Sequence, residues 1–238
     1  MITLAIDTCE ARGSVALRRD GVAVALKKHP DSMDYSAWLL PAVEQALAEA
    51  ETEMEQVDLL AAATGPGSFT GLRVGLTTVK AWAEVYGKPI VGVSRLGAMA
   101  QSRARTTGFV ATCYDAQRGQ LFGGLYRGLH GSWMCVGDEL VIAPPEFVEL
   151  VDKQAGNEPV TWISLDPEAT NNLPAWKERA ARGDTMFLCA PELASNIGAL
   201  AEERARRGEF SDPLALDANY VRRSDAEIFW KGPAANVR

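Results

Sequence analysis

The chain contains one pattern twice, and this repetition limits its fold more than any single motif does. Residues 4–17 read as a strand, a turn that carries Asp7, a glycine at Gly13 and a second strand. Residues 110–122 repeat this order, with Asp115 and Gly119 in the matching places. Such an echo arises either by chance in a strand-rich chain or by internal duplication, which would give two lobes of related structure.

Between and after these two repeats, the stretches of apolar residues have the lengths of strands and of helices in alternation. Apolar residues at steps of three and four predict a helix over about residues 34–51, with a kink at Pro41 or a start just before it. A buried strand at 59–64, a helix to Tyr86 and a strand at 90–93 follow. This spacing favours parallel strands joined by a crossover helix, and hence an α/β protein. We expect an N-terminal lobe over residues 1–105, a C-terminal lobe over 106–222 and a tail over 223–238.

Composition and charge exclude several classes of function. The 238 residues include 24 Lys and Arg against 31 Asp and Glu, and the net charge of -7 opposes direct binding of nucleic acid. The four cysteines form no CxxC pair, which predicts reduced thiols. No run of 18 apolar residues occurs, so we expect a cytoplasmic protein with no membrane partner. Three basic pairs are solvated faces or, if they meet in space, one patch: Arg103/Arg105, Arg206/Arg207 and Arg222/Arg223.

The densest motif is GPGSFTGLRVG at residues 65–75, between a predicted strand and a predicted helix. A glycine-rich turn at a helix N-terminus can bind phosphate, but the spacing matches neither the P-loop nor the dinucleotide fingerprint. The alternative is that the glycines serve a tight turn and close helix packing. Gly71 and Gly75 lie one turn apart, so they form a smooth strip that a second helix is expected to approach.

Few residues in the sequence are candidates for catalysis. Asp7 and Asp115 could hold a nucleotide-bound magnesium ion from two facing loops, although aspartate is also common in turns for local reasons. His29 and His130 are far apart, form no metal-ligating pair and are expected at the surface. Ser132 follows His130 closely, but neither a nucleophile elbow nor an orienting acid accompanies it. We therefore predict no catalytic residue and no metal ligand.

Several motifs in a fixed order resemble those of the bacterial TsaB family. They are GPGSFTGLRVG at 65–75, LAIDT at 4–8, LLP at 39–41, GVS at 92–94, DAQRG at 115–119 and YVR at 220–222. The resemblance covers the chain from Leu4 to about Arg222. It implies an actin-like, Hsp70-like ATPase fold of the ribonuclease-H type, built from two duplicated lobes.

The resemblance also implies a function and a set of partners. Members of the family are non-catalytic partners of the transferase TsaD, which works with the ATPase TsaE to place a threonylcarbamoyl group on N6 of adenosine 37 in tRNA. We therefore expect a heterodimer with TsaD or a homodimer, and contact with tRNA only through the complex. No cofactor is expected for the chain alone, and ATP or ADP with magnesium is expected only in the complex. The candidate nucleotide-binding residues are Asp7, Thr8, Asp115, Gly65, Gly67 and Ser68.

In the family, the two helices of the N-terminal lobe pack against TsaD or against a second copy. The candidate contact residues here are Leu39, Val43, Leu47, Thr70, Gly71, Arg73 and Gly75. Tyr35 stands where many relatives have a histidine, so no role of that histidine carries over. Two other functions compete: an autonomous nucleotide hydrolase that uses Asp7, Asp115 and residues 65–68, and a peptidase, which two isolated histidines do not support.

Overall fold

The structure is a computed structural model that describes residues 1–30, 32–103, 107–129 and 132–221. Several of the residues considered above lie outside these ranges: His130, Arg105, Arg222, Arg223 and the predicted tail. The side chain of Ser132 is likewise outside the description. None of the helices in the described ranges is long and apolar enough to cross a membrane.

The first half of the chain forms a five-stranded sheet. Its strands are β1 (Ile2–Asp7), β2 (Ser14–Arg19), β3 (Val22–Lys28), β4 (Leu59–Gly65) and β5 (Ile90–Ser94). The spatial order is β3-β2-β1-β4-β5, with β1 to β3 antiparallel and with β4 and β5 parallel to β1. Asp20 and Gly21, both at positive φ, form the tight turn between β2 and β3. The crossover helices α1 (Tyr35–Glu49) and α2 (Phe69–Tyr86) cover one face, and α1 continues through Pro41.

The second sheet repeats the first strand by strand. It consists of β6 (Gly108–Asp115), β7 (Leu121–Leu129), β8 (Ser132–Cys135), β9 (Leu140–Ile142), β10 (Val160–Ser164) and β11 (Thr185–Leu188). Its order is β11-β10-β6-β7-β8, with β9 beside β7, and the strand directions match those of the first sheet. Asp7 and Asp115 end the equivalent strands β1 and β6. The predicted duplication of an α/β lobe is therefore confirmed.

Two helices exchange places between the lobes. The helix α3 (Arg95–Gln101) follows β5 but packs on β6 and β7, and α7 (Ala194–Arg206) follows β11 but packs on the first sheet. A buried ion pair between Arg18 on β2 and Glu202 on α7, at 2.9 Å, holds α7 in this position. The remaining helices cover the outer face of the second sheet: α4 (Pro144–Ala155), α5 (Glu168–Asn171) and α6 (Pro174–Ala181). The helices α3 and α7 each follow one lobe in the chain and pack on the other. The predicted boundary between the lobes at residues 105 and 106 therefore stays a prediction.

The glycine strip of α2 faces its own lobe. A Cβ atom at Gly71 would lie 2.0 Å from the carbonyl oxygen of Thr8, and one at Gly75 would lie 2.3 Å from the Thr8 hydroxyl. Both glycines are buried, and the Thr8 hydroxyl donates a hydrogen bond to the carbonyl oxygen of Gly71 at 2.7 Å. The expectation that Gly71 and Gly75 contact a partner is thus wrong, because the close neighbour of this strip is the end of β1 rather than another molecule.

We predict that Gly71→Ala destabilises the protein by about 1–3 kcal/mol, because the new methyl group would overlap a backbone oxygen that cannot rotate away. Thermal and urea unfolding measure the change. Gly97→Ala is the matched control, since Gly97 also lies in a helix but its Cβ would meet Ser94 at an ordinary 3.6 Å. The control should be neutral or more stable by about 0.5–1 kcal/mol through helix propensity. Equal unfolding midpoints for the two variants would contradict the close approach.

Candidate functional site

Loops from both lobes meet at the carboxyl ends of β1, β4 and β6 and enclose a cleft of about 310 Å³. The turn after β1 contributes Glu10, the loop after β4 contributes Gly67 and Ser68, and the end of β6 contributes Asp115. The segment after α7 closes the cleft with Asn219, Tyr220 and Val221. Three of the predicted nucleotide-binding residues, Gly67, Ser68 and Asp115, therefore lie in one cleft.

Asp7 does not open into this cleft. Its carboxylate is fully buried and forms an ion pair with Arg95, Nε to Oδ2 at 3.0 Å, and Arg95 is fully buried as well. The second carboxylate oxygen accepts a hydrogen bond from the backbone N–H of Cys9 at 3.0 Å. The structure contradicts the expectation that Asp7 holds a magnesium ion, because a guanidinium already neutralises it.

Thr8 and Gly65 are not among the residues that line the cleft. Thr8 is buried, and its hydroxyl is bonded to the carbonyl oxygen of Gly71. Gly65 has a φ of +109°, and a Cβ there would lie 3.2 Å from the carbonyl oxygen of Asn219. Both residues shape the backbone around the glycine loop, so the expectation that they contact a nucleotide is not supported by their positions.

Arg95 links the two lobes through the same buried cluster. Its guanidinium lies 4.8 Å from the ring of Tyr114 on β6, and its Nη2 donates to the carbonyl oxygen of Pro191 at 3.1 Å. Tyr114 in turn donates to the carbonyl oxygen of Pro66 at 2.6 Å. Burial has the largest single effect and would lower the pKa of Arg95, but Asp7 together with Tyr114, Cys9 and Glu10 outweighs it and holds this pKa above its ordinary value. The arginine therefore stays charged.

Glu10 is the titratable residue of the cleft that the sequence did not reveal. The pKa of its carboxyl group is raised to about 7, mainly by burial and also by the nearby acids Asp7 and Asp115, while Arg95 and Arg12 oppose the shift. Glu10 follows β1 in a turn without a recognisable motif. Only the folded arrangement, which half-buries Glu10 at the cleft, distinguishes it from an ordinary surface glutamate.

An aromatic cluster fixes the turn that carries Glu10. The Tyr35 hydroxyl donates to the carbonyl oxygen of Glu10 and accepts from the backbone N–H of Gly13. The ring of His29 stacks on Tyr35 at 4.0 Å, and its Nδ1 is 2.7 Å from the carbonyl oxygen of Ala11. His29 is buried, so its expected surface position is wrong: the imidazole fills the space between the hairpin turn and α1. Among the described residues, no group of three or more His, Cys, Asp and Glu is arranged to hold a metal ion.

Only some of the residues predicted to contact a partner lie on the outer face of α1 and α2. Leu39 and Val43 are buried in the core beneath the helices, and Leu47 is half-buried against the same core. These residues repeat every four positions because they pack inward, so the expectation that Leu39 and Val43 form a partner surface is wrong. Thr70 and Arg73 are exposed as predicted.

A shallow groove runs between the exposed sides of these two helices. Its exposed members are Ser36 and Leu40 on α1 and Arg73 and Thr77 on α2. Leu40 is 51% exposed, a large fraction for a leucine, and it was missed because Leu39 beside it fits the core-facing helical period. We call this the α1/α2 groove.

Two lobes of the same strand order, with exchanged helices and a cleft between them, define a protein of the actin-like ATPase fold. The model of the family described as TsaD, tRNA N6-adenosine threonylcarbamoyltransferase, matches residues 30–167. The solved structure of YeaZ from Pseudomonas aeruginosa superposes with a TM-score of 0.73 and 25% identity, covering 92% of this chain and 99% of that one.

The curated relatives narrow the assignment. The Bacillus subtilis tRNA threonylcarbamoyladenosine biosynthesis protein TsaB is 30% identical over 239 residues, which cover 97% of this chain and 98% of the relative. The Escherichia coli protein of the same name is 35% identical over 169 residues, 69% of this chain and 71% of the relative. The chain belongs to the TsaB family, as its motifs indicated.

We predict that Asp7→Asn lowers the free energy of unfolding by about 3–5 kcal/mol, because it leaves the Arg95 charge buried without its counter-ion. Urea unfolding of the single variants Asp7→Asn and Arg95→Met and of the double variant measures the effect. The double variant should lose less stability than the sum of the single losses, since it removes both charges. Additive losses would show that the pair does not act as a unit.

The raised pKa of Glu10 predicts a pH-dependent stability. The protonated carboxyl contributes stability that is fully present below about pH 4.5 and is lost as the pH rises through about 7. Glu10→Gln removes this dependence, so relative to the wild type it should gain about 1–2 kcal/mol between pH 5 and pH 8. Thermal unfolding at both pH values tests this, with Glu84→Gln at an exposed position of α2 as the control. A constant difference between Glu10→Gln and wild type across this range would contradict the burial of Glu10.

Proposed function

We propose that this chain acts in tRNA threonylcarbamoyladenosine biosynthesis as the non-catalytic partner of TsaD. The names of its relatives support the pathway, and the match to the TsaD family model supports a chain built like the transferase it accompanies. The observation that carries the non-catalytic role is the Asp7–Arg95 pair. Catalysis between the lobes would need a free carboxylate as a ligand, and the Asp7 carboxylate is buried and bound to Arg95.

The same pair argues against an autonomous nucleotide hydrolase. The cleft retains Gly67, Ser68 and Asp115, but the other strand-end aspartate, Asp7, is paired with Arg95 and is not free to hold a magnesium ion. ATP or ADP with magnesium in the complex stays a prediction that only the position of the glycine loop supports. We include TsaE, an alternative homodimer, a cytoplasmic location and contact with tRNA through the complex in the proposal, all from family membership.

The α1/α2 groove is the surface through which we propose that the chain docks on TsaD. Its exposed leucine, small polar residues and single arginine suit a helix-on-helix contact. The buried glycines of α2 fix the helix on its own lobe, so the groove side stays available to a partner.

The test is reconstitution with purified TsaD, TsaE, ATP, the threonylcarbamoyl donor and tRNA, with modified adenosine measured by mass spectrometry after nuclease digestion. The chain alone should transfer nothing and turn over negligible ATP, whereas adding it to TsaD and TsaE should raise the yield. Leu40→Glu should reduce the stimulation at least tenfold at limiting concentration, because it places a charge in the apolar part of the groove.

The control for that variant is Leu188→Glu, which changes a leucine on β11 in the other lobe that is even more exposed than Leu40. It should stimulate TsaD as the wild type does. Robust transfer by the isolated chain, or equal losses for both variants, would contradict the proposed function or its surface.

A further inference from the structure

Arg73 is held in place by two aromatic residues at the start of α2. Its guanidinium carbon lies 3.7 Å from the centre of the Phe69 ring, and its Nε donates to the hydroxyl of Tyr220 at 3.3 Å. The two rings are themselves in contact, with centroids 5.3 Å apart. The planar group is therefore oriented by two contacts, with rings that also contact each other, even though it is exposed to solvent.

Two of the other stacked arginines have a counter-ion, whereas Arg73, like Arg103 on Phe187, forms no ion pair with the described residues. Arg95 stacks on Tyr114 and pairs with Asp7, and Arg127 stacks on Phe109 and pairs with Glu158 at 3.3 Å. For Arg73, no carboxylate of the described residues forms an ion pair. The contacts that orient it leave the two terminal nitrogens of the guanidinium without a bond to any described residue.

The position of Arg73 makes this charge part of the docking surface. It lines the α1/α2 groove, and among the described residues of that groove it is the one with a charged side chain. The neighbouring groove residues Leu40, Val74 and Thr77 are apolar or small. A partner that covers the groove would desolvate the guanidinium, which is costly unless the partner supplies an anion.

Building on the proposed function, we infer that the α1/α2 groove selects a protein partner that presents an Asp or Glu carboxylate to Arg73, with Phe69 and Tyr220 as positioning residues for the guanidinium. The guanidinium is planar, and its two terminal nitrogens, which no described residue bonds, match the two oxygens of a carboxylate in bidentate geometry. An RNA phosphate has the same geometry, but phosphate-backbone binding needs several cations, whereas this groove contains one and the chain carries a net charge of -7.

The first test is calorimetric binding of full-length variants to TsaD at several salt concentrations. Arg73→Gln should weaken binding at least tenfold and flatten its salt dependence, since the pair it removes is ionic. Arg127→Gln is the matched control, because that arginine also stacks on a phenylalanine but already has its carboxylate. It should bind TsaD like the wild type.

The roles of the positioning residues follow from a double-mutant cycle. Tyr220→Phe removes only the hydroxyl that accepts from Arg73, and we expect binding about threefold weaker. This loss should vanish in the Arg73→Gln background, where there is no guanidinium to orient. A structural role of the hydroxyl would give the same loss in both backgrounds, and that result would overturn the positioning role.

A zero-length cross-link identifies the partner group. In Arg73→Lys, a carbodiimide should activate the facing carboxyl of TsaD, and the introduced amine should then form an amide bond with it, which peptide mass spectrometry locates. A cross-link to an Asp or Glu of TsaD supports the inference. A cross-link only to a second copy of this chain, or loss of tRNA binding with TsaD binding unchanged in Arg73→Gln, would overturn it.

These outcomes separate the inference from the proposed function. If wild-type chain binds and stimulates TsaD while Arg73→Gln does so equally well, the carboxylate inference fails and the proposed function stands. If wild-type chain neither binds nor stimulates TsaD, the proposed function fails. The calorimetry and the transfer assay are measured on the same preparations, so a misfolded variant is recognised by its unfolding midpoint.

Discussion

The buried ion pair between Asp7 and Arg95 is the interaction on which the arrangement of the two lobes depends. Asp7 ends the central strand of the first sheet, and Arg95 begins the helix that packs on the second. Both side chains are fully buried, so neither charge is tolerated without the other. The contacts of Arg95 with Tyr114 and Pro191 extend the pair into the second lobe. The lobes are therefore joined by charge as well as by their shared apolar core.

This pair also explains where function can lie. A two-lobed protein of this fold offers a cleft between its turns, but here the strand-end aspartate is committed to a structural arginine. The cleft that remains is lined by the charged residues Glu10, Asp115 and Arg118, so it keeps Asp115 but not Asp7 as a strand-end carboxylate. The Asp7 side chain therefore stabilises the joined lobes, and we assign association to the exposed α1/α2 groove.

The sequence predicted the α/β class and the duplication because both rest on local, repeated patterns. Asp7 and Asp115 do end equivalent strands, as their echo indicated. The sequence could not predict whether a residue on a helix faces the protein's own core or a partner. A glycine strip and a leucine stripe have the same helical period whether they meet a partner or their own sheet, and Gly71 and Leu39 meet their own sheet and core. Glu10 had no motif at all, since its environment comes from a loop distant in sequence.

The helix α2 shows how one short motif serves both sides of a helix. Its glycines let the inner side approach Thr8 closely, which fixes the helix relative to β1. On the outer side, Arg73 stacks on Phe69, so the residues that shape the tight turn also orient the charge that faces solvent. Tyr220 joins this cluster from the segment that closes the cleft. The motif therefore supplies both the close packing of α2 on its lobe and the aromatic ring that orients the exposed arginine.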